Sequence, residues 1–216
     1  MTSIADNLQA IRTRIGAVTL LAVSKGQPVA KIAQAAAAGQ RAFGENYVQE
    51  AVEKMEQLPG LEWHLIGPLQ SNKTRIVAER FQWVQTVDRE KIARRLSEQR
   101  PASAPPLNVL VQVNVSGEAS KSGVSPGEVF SLCEKVASLK NLRLRGLMAI
   151  PDPAKKSALE LREMKKIFDR LKGEFHLDTL SMGMSDDLEL AIAEGSTMVR
   201  IGTAIFGERQ KARDAA

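Results

Sequence analysis

Cysteine, histidine and aromatic residues are all scarce in this chain of 216 residues, which has one cysteine, two histidines, two tryptophans, one tyrosine and six phenylalanines. A single cysteine excludes an intrachain disulfide and any thiolate cluster for a metal. Cys133 lies in an amphipathic stretch with Val129, Phe130, Leu132, Val136 and Leu139, and is read as a buried packing residue rather than a nucleophile. His64 and His176 are too few and too scattered for a zinc site, so no metal is expected. No apolar run reaches the roughly 18–20 residues that cross a bilayer. The first six residues, Met1–Asp6, have neither the basic nor the apolar region of an export signal, and a reducing cytoplasm is the expected location. Aromatics at 4% leave few stacking platforms for nucleic acid. The net charge of +5 is dispersed among acids, as from Glu160 to Lys172. It therefore reads as a salt-bridged surface, and its positive field suits an anionic small ligand.

What is present is an alternation of short apolar runs with longer periodic ones. Strands are expected at Leu20–Ser24, Ala42–Glu45, Trp63–Ile66, Trp83–Val87, Asn108–Val115, Leu144–Ile150, Thr179–Met184 and Met198–Ile205. Helices fall between them. Pro28 stands at a first helical position and Gly39 at the end of that helix; Ser125–Glu128 spells a capping box; Asp88 and Ser185 are candidate caps for Arg89–Gln99 and Asp186–Glu194. Residues 155–172 form an amphipathic stretch, and a further helix at about Ile4–Ile15 precedes the first strand. Eight such units close a barrel, so the expected fold is a single (β/α)8 TIM-type barrel over residues 1–208 with a polar tail at 209–216. An open doubly wound sheet is the alternative. The Pro-Ala-Ser-Ala-Pro-Pro segment at 101–106 is read as a surface loop, because strands resume after it on the same rhythm.

In such a barrel, ligand groups belong at the C-terminal ends of the strands, and the unusual polar residues fall there. Lys25 ends the first strand and Asn46 follows the second; Gly67, Thr86, Asp88 and Asn114 follow at the next three, then Met148, then Gly183 and Ser185, then Arg200, Gly202 and Thr203. Lys25 closes the apolar run Leu20–Ser24. An amine partly desolvated at a barrel mouth favours its neutral form, which Schiff-base chemistry needs, although a lysine ending a strand is often only a solvated surface residue. Ser181–Asp186 runs from a strand towards a helix start, and Arg200–Thr203 makes a second turn of the same kind. Strands 7 and 8 are the usual phosphate position of this architecture. Ser185 reads equally as a simple helix cap, and Asp186 and Asp187 oppose an anion unless they point outward. The segment Gly67–Thr74 nearly spells a nucleotide P-loop, but Asn72 replaces the second glycine. His64, inside an apolar strand, is read as a satisfied structural histidine before a catalytic base.

Seven stretches give the chain its resemblance to a known family: LAVSK at 21–25, FGENYVQE at 43–50, WHLIGPLQSNK at 63–73, QVNVSGEASKSG at 112–123, GLMAI at 146–150, LSMGMSDD at 180–187 and GSTMVRIGTAIFG at 195–207. On these the chain resembles the YggS/PROSC family of pyridoxal phosphate homeostasis proteins. The resemblance implies a barrel like that of alanine racemase without its second domain, holding pyridoxal 5′-phosphate (PLP) on Lys25 as an internal aldimine. It implies that Asn46 and Met148 line the ring, that Arg200 approaches the pyridine nitrogen, and that Ser185, Gly202 and Thr203 hold the phosphate with the Met184 backbone nearby. It further implies a role in vitamin B6 and amino- and keto-acid homeostasis without established catalysis, so no catalytic residue is assigned. Apo forms of PLP enzymes are then possible recipients, a monomer is the default state, and neither nucleic acid nor membrane is an expected partner. A PLP-dependent amino-acid racemase is the alternative, but Tyr47 is the only tyrosine, and a two-base racemase needs an acid/base on each face of the substrate carbon.

Overall fold

A computed structural model of the protein describes residues 2–118, 121–151 and 157–208. Eight strands follow one another as β1 Thr19–Val23, β2 Ala42–Glu45, β3 Glu62–Leu65, β4 Trp83–Val87, β5 Leu107–Gln112, β6 Leu142–Met148, β7 Thr179–Ser181 and β8 Met198–Ile201. Each pairs in parallel with its sequence neighbours, and β8 returns to β1 with Thr19 opposite Met198 and Ala22 opposite Ile201. That last ladder closes the barrel and excludes the open doubly wound sheet. The helices are α1 Ile4–Ile15, α2 Val29–Ala37, α3 Val48–Gln57, α4 Thr74–Arg80, α5 Glu90–Gln99, α6 Val129–Ala137, α7 Ser157–Lys172, α8 Leu188–Ala193 and α9 Thr203–Phe206.

The strands are short and almost wholly buried, as parallel strands covered on both faces must be. Alternate side chains separate into two layers. Leu20, Ala22, Phe43, Leu65, Val84, Val109, Val111, Leu180, Val199 and Ile201 join one apolar cluster with the inward stripes of the helices, such as Ile32, Ile92, Leu96, Leu161 and Phe168. The residues between them face the barrel axis. There Trp83, Leu110 and Met148 make a small separate cluster, among buried His64, Gln85, Gln112, Ser181 and Arg200. The hydrophobic driving force, about 1.5–3 kcal/mol for each fully buried large side chain, therefore resides mainly between sheet and helices. Cys133 is buried in α6 as expected, and burial pushes its thiol up to about 12.

Several boundaries differ from the sequence expectation. The eighth strand ends at Ile201, because the Gly202 carbonyl accepts from the Ile205 and Phe206 N–H groups and starts α9. The seventh ends at Ser181. Pro28 is the residue just before α2 rather than its first, and Asp88 does not cap α5 but pairs with Arg89 at 2.6 Å. Ser125 and Glu128 do bond, the hydroxyl donating to the carboxylate at 2.5 Å, yet α6 starts only at Val129. Ser185 lies in a turn before α8 and caps nothing. The expected tail at 209–216 and the start of the 155–172 stretch lie outside the described residues.

Candidate functional site

At the C-terminal ends of β1, β2, β7 and β8 lies a cavity of about 580 Å³, within the size range of small-molecule sites. Lys25, Asn46, Met184, Ser185, Arg200, Gly202 and Thr203 all line it. Seven of the eight residues singled out from the sequence are thus brought to one place. The eighth, Met148, is not among the lining residues. It is fully buried with Trp83 and Leu110, and Ile150 of the same segment reaches the wall instead. A smaller cavity of about 230 Å³ adjoins, sharing Asn46, Ile66 and Ile150, and takes in Thr86 and Asn114. Asp88 and Gly67 line neither.

Lys25 sits, partly buried, in the turn that follows β1. That turn is held by a charge cluster that sequence reasoning missed. Lys54 of α3 is 6% exposed and donates to Glu45 Oε1 at 2.7 Å, to Glu50 Oε1 at 2.6 Å and to the Ser24 carbonyl at 2.8 Å. The Ser24 hydroxyl donates to Glu45 Oε1 at 2.6 Å, and the Gly26 N–H donates to Glu50 Oε1 at 2.6 Å. Both neighbours of Lys25 are therefore tied to one buried network. Burial pushes the Glu45 carboxyl above the usual carboxylate range, with Lys54 opposing the shift. The helical i,i+4 spacing of Glu50 and Lys54 was the visible signal.

On the neighbouring strand β8, where it stands beside Leu21 of β1, Arg200 is 4% exposed and spends its fork on the Ser181 hydroxyl and the Ala149 carbonyl, each at 2.8 Å. Burial lowers its guanidinium to about 10, so it stays charged at neutral pH, a donor without acceptor capacity. Gly202 lets the wall lie close to β1: a Cβ there would stand 3.1 Å from the Val23 carbonyl oxygen. Met184 contributes a wall, but its N–H is spent on Asp187 Oδ1 at 2.6 Å. Asp187 is thereby engaged by the backbone beside the cavity, and Asp186 lines the cavity itself.

Asn46 is placed by the close passage of Gly67, where a Cβ would fall 2.1 Å from the Asn46 carbonyl oxygen. Its Oδ1 is buried in the cavity wall without a hydrogen-bond partner among the described residues. Such an orphan is costly unless a ligand satisfies it. A lysine, an arginine, two hydroxyls and an unsatisfied amide around one cavity fit a phosphorylated, carbonyl-bearing small molecule. His64 has no place there. It is fully buried, stacked on Trp83 with ring centroids 5.0 Å apart, and bonded to Gln85 and Glu62.

The chain is similar to known proteins over nearly its whole length. The family model described as alanine racemase, N-terminal domain, matches residues 1–210. The pyridoxal phosphate homeostasis protein of Escherichia coli strain K12 is 55% identical, with 97% of this chain and 98% of that protein covered. That of Pseudomonas aeruginosa is 56% identical, with 97% of each covered. PipY of Synechococcus elongatus, in a structure with PLP bound, is 37% identical with a TM-score of 0.84, covering 95% of this chain and all of that one. Alanine racemase from Corynebacterium glutamicum shares the fold at 18% identity and a TM-score of 0.75, this chain matching 61% of its length.

Proposed function

The chain belongs to the alanine racemase N-terminal domain family, among its pyridoxal phosphate homeostasis proteins, and from that premise we propose that it is an intracellular PLP-holding protein whose cofactor joins Lys25. The observation that carries the reading is the convergence of Lys25, Asn46, Ser185, Arg200, Gly202 and Thr203 on one cavity. When bound, PLP supplies an aldehyde for the lysine amine and an electron-withdrawing ring. Lys25 provides that amine from a turn pinned on both sides. Ser185, Thr203 and the Gly202 backbone would hold the phosphate, and the Asn46 amide would meet the ring substituents. Arg200 would meet a ring nitrogen as a donor only; having no acceptor to offer a protonated nitrogen, it would disfavour that protonation and so weaken the ring as an electron sink.

The role is one of holding and handing over, with apo forms of PLP enzymes as recipients and a monomer as the working state. Racemisation needs a second acid/base opposite Lys25. Tyr47, 66% exposed, is not among the residues that line the cavity. The test is spectroscopic. Purified protein should be yellow, borohydride should fix the cofactor to Lys25, and adding an apo-enzyme should drain the colour into the acceptor. A Lys25→Ala variant that binds PLP as tightly as the wild type would overturn the assignment, and turnover of single-enantiomer amino acids would overturn the non-catalytic role.

A further inference from the structure

The barrel axis carries a hydrogen-bond chain whose direction is fixed from end to end, and resting on the reading above, we infer that Gln85 and His64, which lie outside the cavity wall, are positioning residues for Arg200. Arg200 Nη1 donates to Ser181 Oγ at 2.8 Å. The serine hydroxyl, having accepted from the guanidinium, donates onward to Gln85 Oε1 at 2.7 Å. The glutamine amide nitrogen then faces His64 Nδ1 at 2.9 Å, with Met198 Sδ at 3.2 Å. Nδ1 is therefore an acceptor, the proton sits on Nε2, and Nε2 donates to Glu62 Oε1 at 2.9 Å.

One end of the chain can only donate and the other, a carboxylate, can only accept. Turning the Gln85 amide over would set its carbonyl against His64 Nδ1. That nitrogen would then need a proton, and the imidazole would have to be either charged inside the barrel or lone pair to lone pair with Glu62. Ser181, Gln85 and His64 are each 0% exposed, so a lost link leaves a polar group short of a partner away from bulk water. The groups facing His64 hold the same arrangement: Trp83 stacks on it at 7° between planes, and Arg145 covers the other side of the Trp83 assembly, 4.8 Å from that ring's centroid, while pairing with Asp178. Glu62, 45% exposed in its side chain, is held below the usual carboxylate range chiefly by the His64 bond. The ligand cavity is thus joined to Glu62, at the start of β3 on the opposite rim, by one continuous relay, with side contacts to the Ala149 carbonyl and Met198 Sδ. Arg200 is oriented by the Ala149 carbonyl on one terminal nitrogen and by Ser181 on the other, and through Ser181 by Gln85 and His64.

The test uses the two histidines as their own probe and control. Nitrogen-15 spectra of the cofactor-free protein should show His64 as the neutral Nε2–H tautomer, and adding PLP should move the His64 Nδ1 resonance but not that of exposed His176. Gln85→Leu and Ser181→Ala should each weaken PLP binding about ten-fold and shift the pH profile of the bound cofactor's visible absorbance. Should the leucine variant fail to fold, Ser181→Ala, which loses one oxygen, and the wild-type spectra carry the test. A Nδ1–H tautomer, a His64 signal indifferent to PLP, or folded variants with unchanged affinity and pH profile would overturn the relay. A wild type that takes up no PLP would overturn the functional reading itself.

Discussion

Replacing Lys54 by methionine should expose how strongly the Lys25 turn depends on buried charge. Methionine keeps most of the apolar stem but removes the ammonium that meets Glu45, Glu50 and the Ser24 carbonyl. Glu45, 0% exposed, would retain only the Ser24 hydroxyl. Stranding one partner of a buried pair costs about 3–5 kcal/mol. At about 2–4 °C per kcal/mol for a chain of this size, Tm should fall by roughly 6–20 °C. The pH dependence carries the diagnosis. Burial already holds Glu45 above the usual carboxylate range, and removing Lys54 raises it further. A carboxyl whose folded-state pKa exceeds its unfolded value binds more protons when folded, so stability rises as pH falls from neutrality towards about 4.3. The deficit of Lys54→Met should therefore shrink between pH 8 and pH 5, and Glu45→Gln added to it should recover most of the loss. Urea unfolding of the cofactor-free proteins at several pH values measures all of this. A deficit below about 1 kcal/mol, one constant with pH, or a double variant no better than the single one would refute the reasoning.

Gly67→Ala should force its Cβ against the Asn46 carbonyl, 2.1 Å away, and displace that residue from the wall. PLP affinity measured by visible titration should drop at least about ten-fold, and an unchanged affinity would remove Asn46 from the ligand set. His64 is pushed below its ordinary value of 6.5 by burial. The unfolded chain then binds the extra proton, so stability should fall as pH drops below about 6.5, by at most about 1.4 kcal/mol per pH unit, and His64→Gln should flatten that slope. Cys133, with its thiol near 12 and fully buried, should resist alkylation at pH 8 in the native protein and react at once in denaturant; equal rates would contradict its burial.

Much of the architecture was legible because the apolar runs and helix periods are regular, and β2 and β4 have the bounds expected of them. The misjudged places are those where one residue type serves two purposes. Thr203–Phe206 carries the largely apolar run of β8 onward past Gly202, and the backbone bonds to Gly202 turn it into α9. Asp88 and Ser185 are good capping residues, but Asp88 is engaged by Arg89, and α8 starts only at Leu188, with Asp187 rather than Ser185 in the position before it. Met148 was correctly put at a strand end. Which way it points depends on the irregular register between β5 and β6 near Leu110 and Gly146, which no composition reveals. Lys25, Asn46 and the β7–β8 residues, which the structure gathers around one cavity, were singled out because polar groups at strand ends are conspicuous. Glu45 was not, since its partner Lys54 comes from a different element.

The two layers of the barrel differ in how they can be altered. Outside the sheet, Val, Leu and Ile pack against helices, and one apolar residue of similar volume can replace another for little. Along the axis, Glu62, His64, Gln85, Ser181 and Arg200 are specified by donor and acceptor direction rather than by volume. A single exchange there strands a polar group, while a concerted exchange to apolar residues would also silence the one arginine that faces the cavity from β8. Efforts to stabilise this protein therefore belong in the outer layer, where substitutions can be accumulated one at a time. The axis can be redesigned only as a whole.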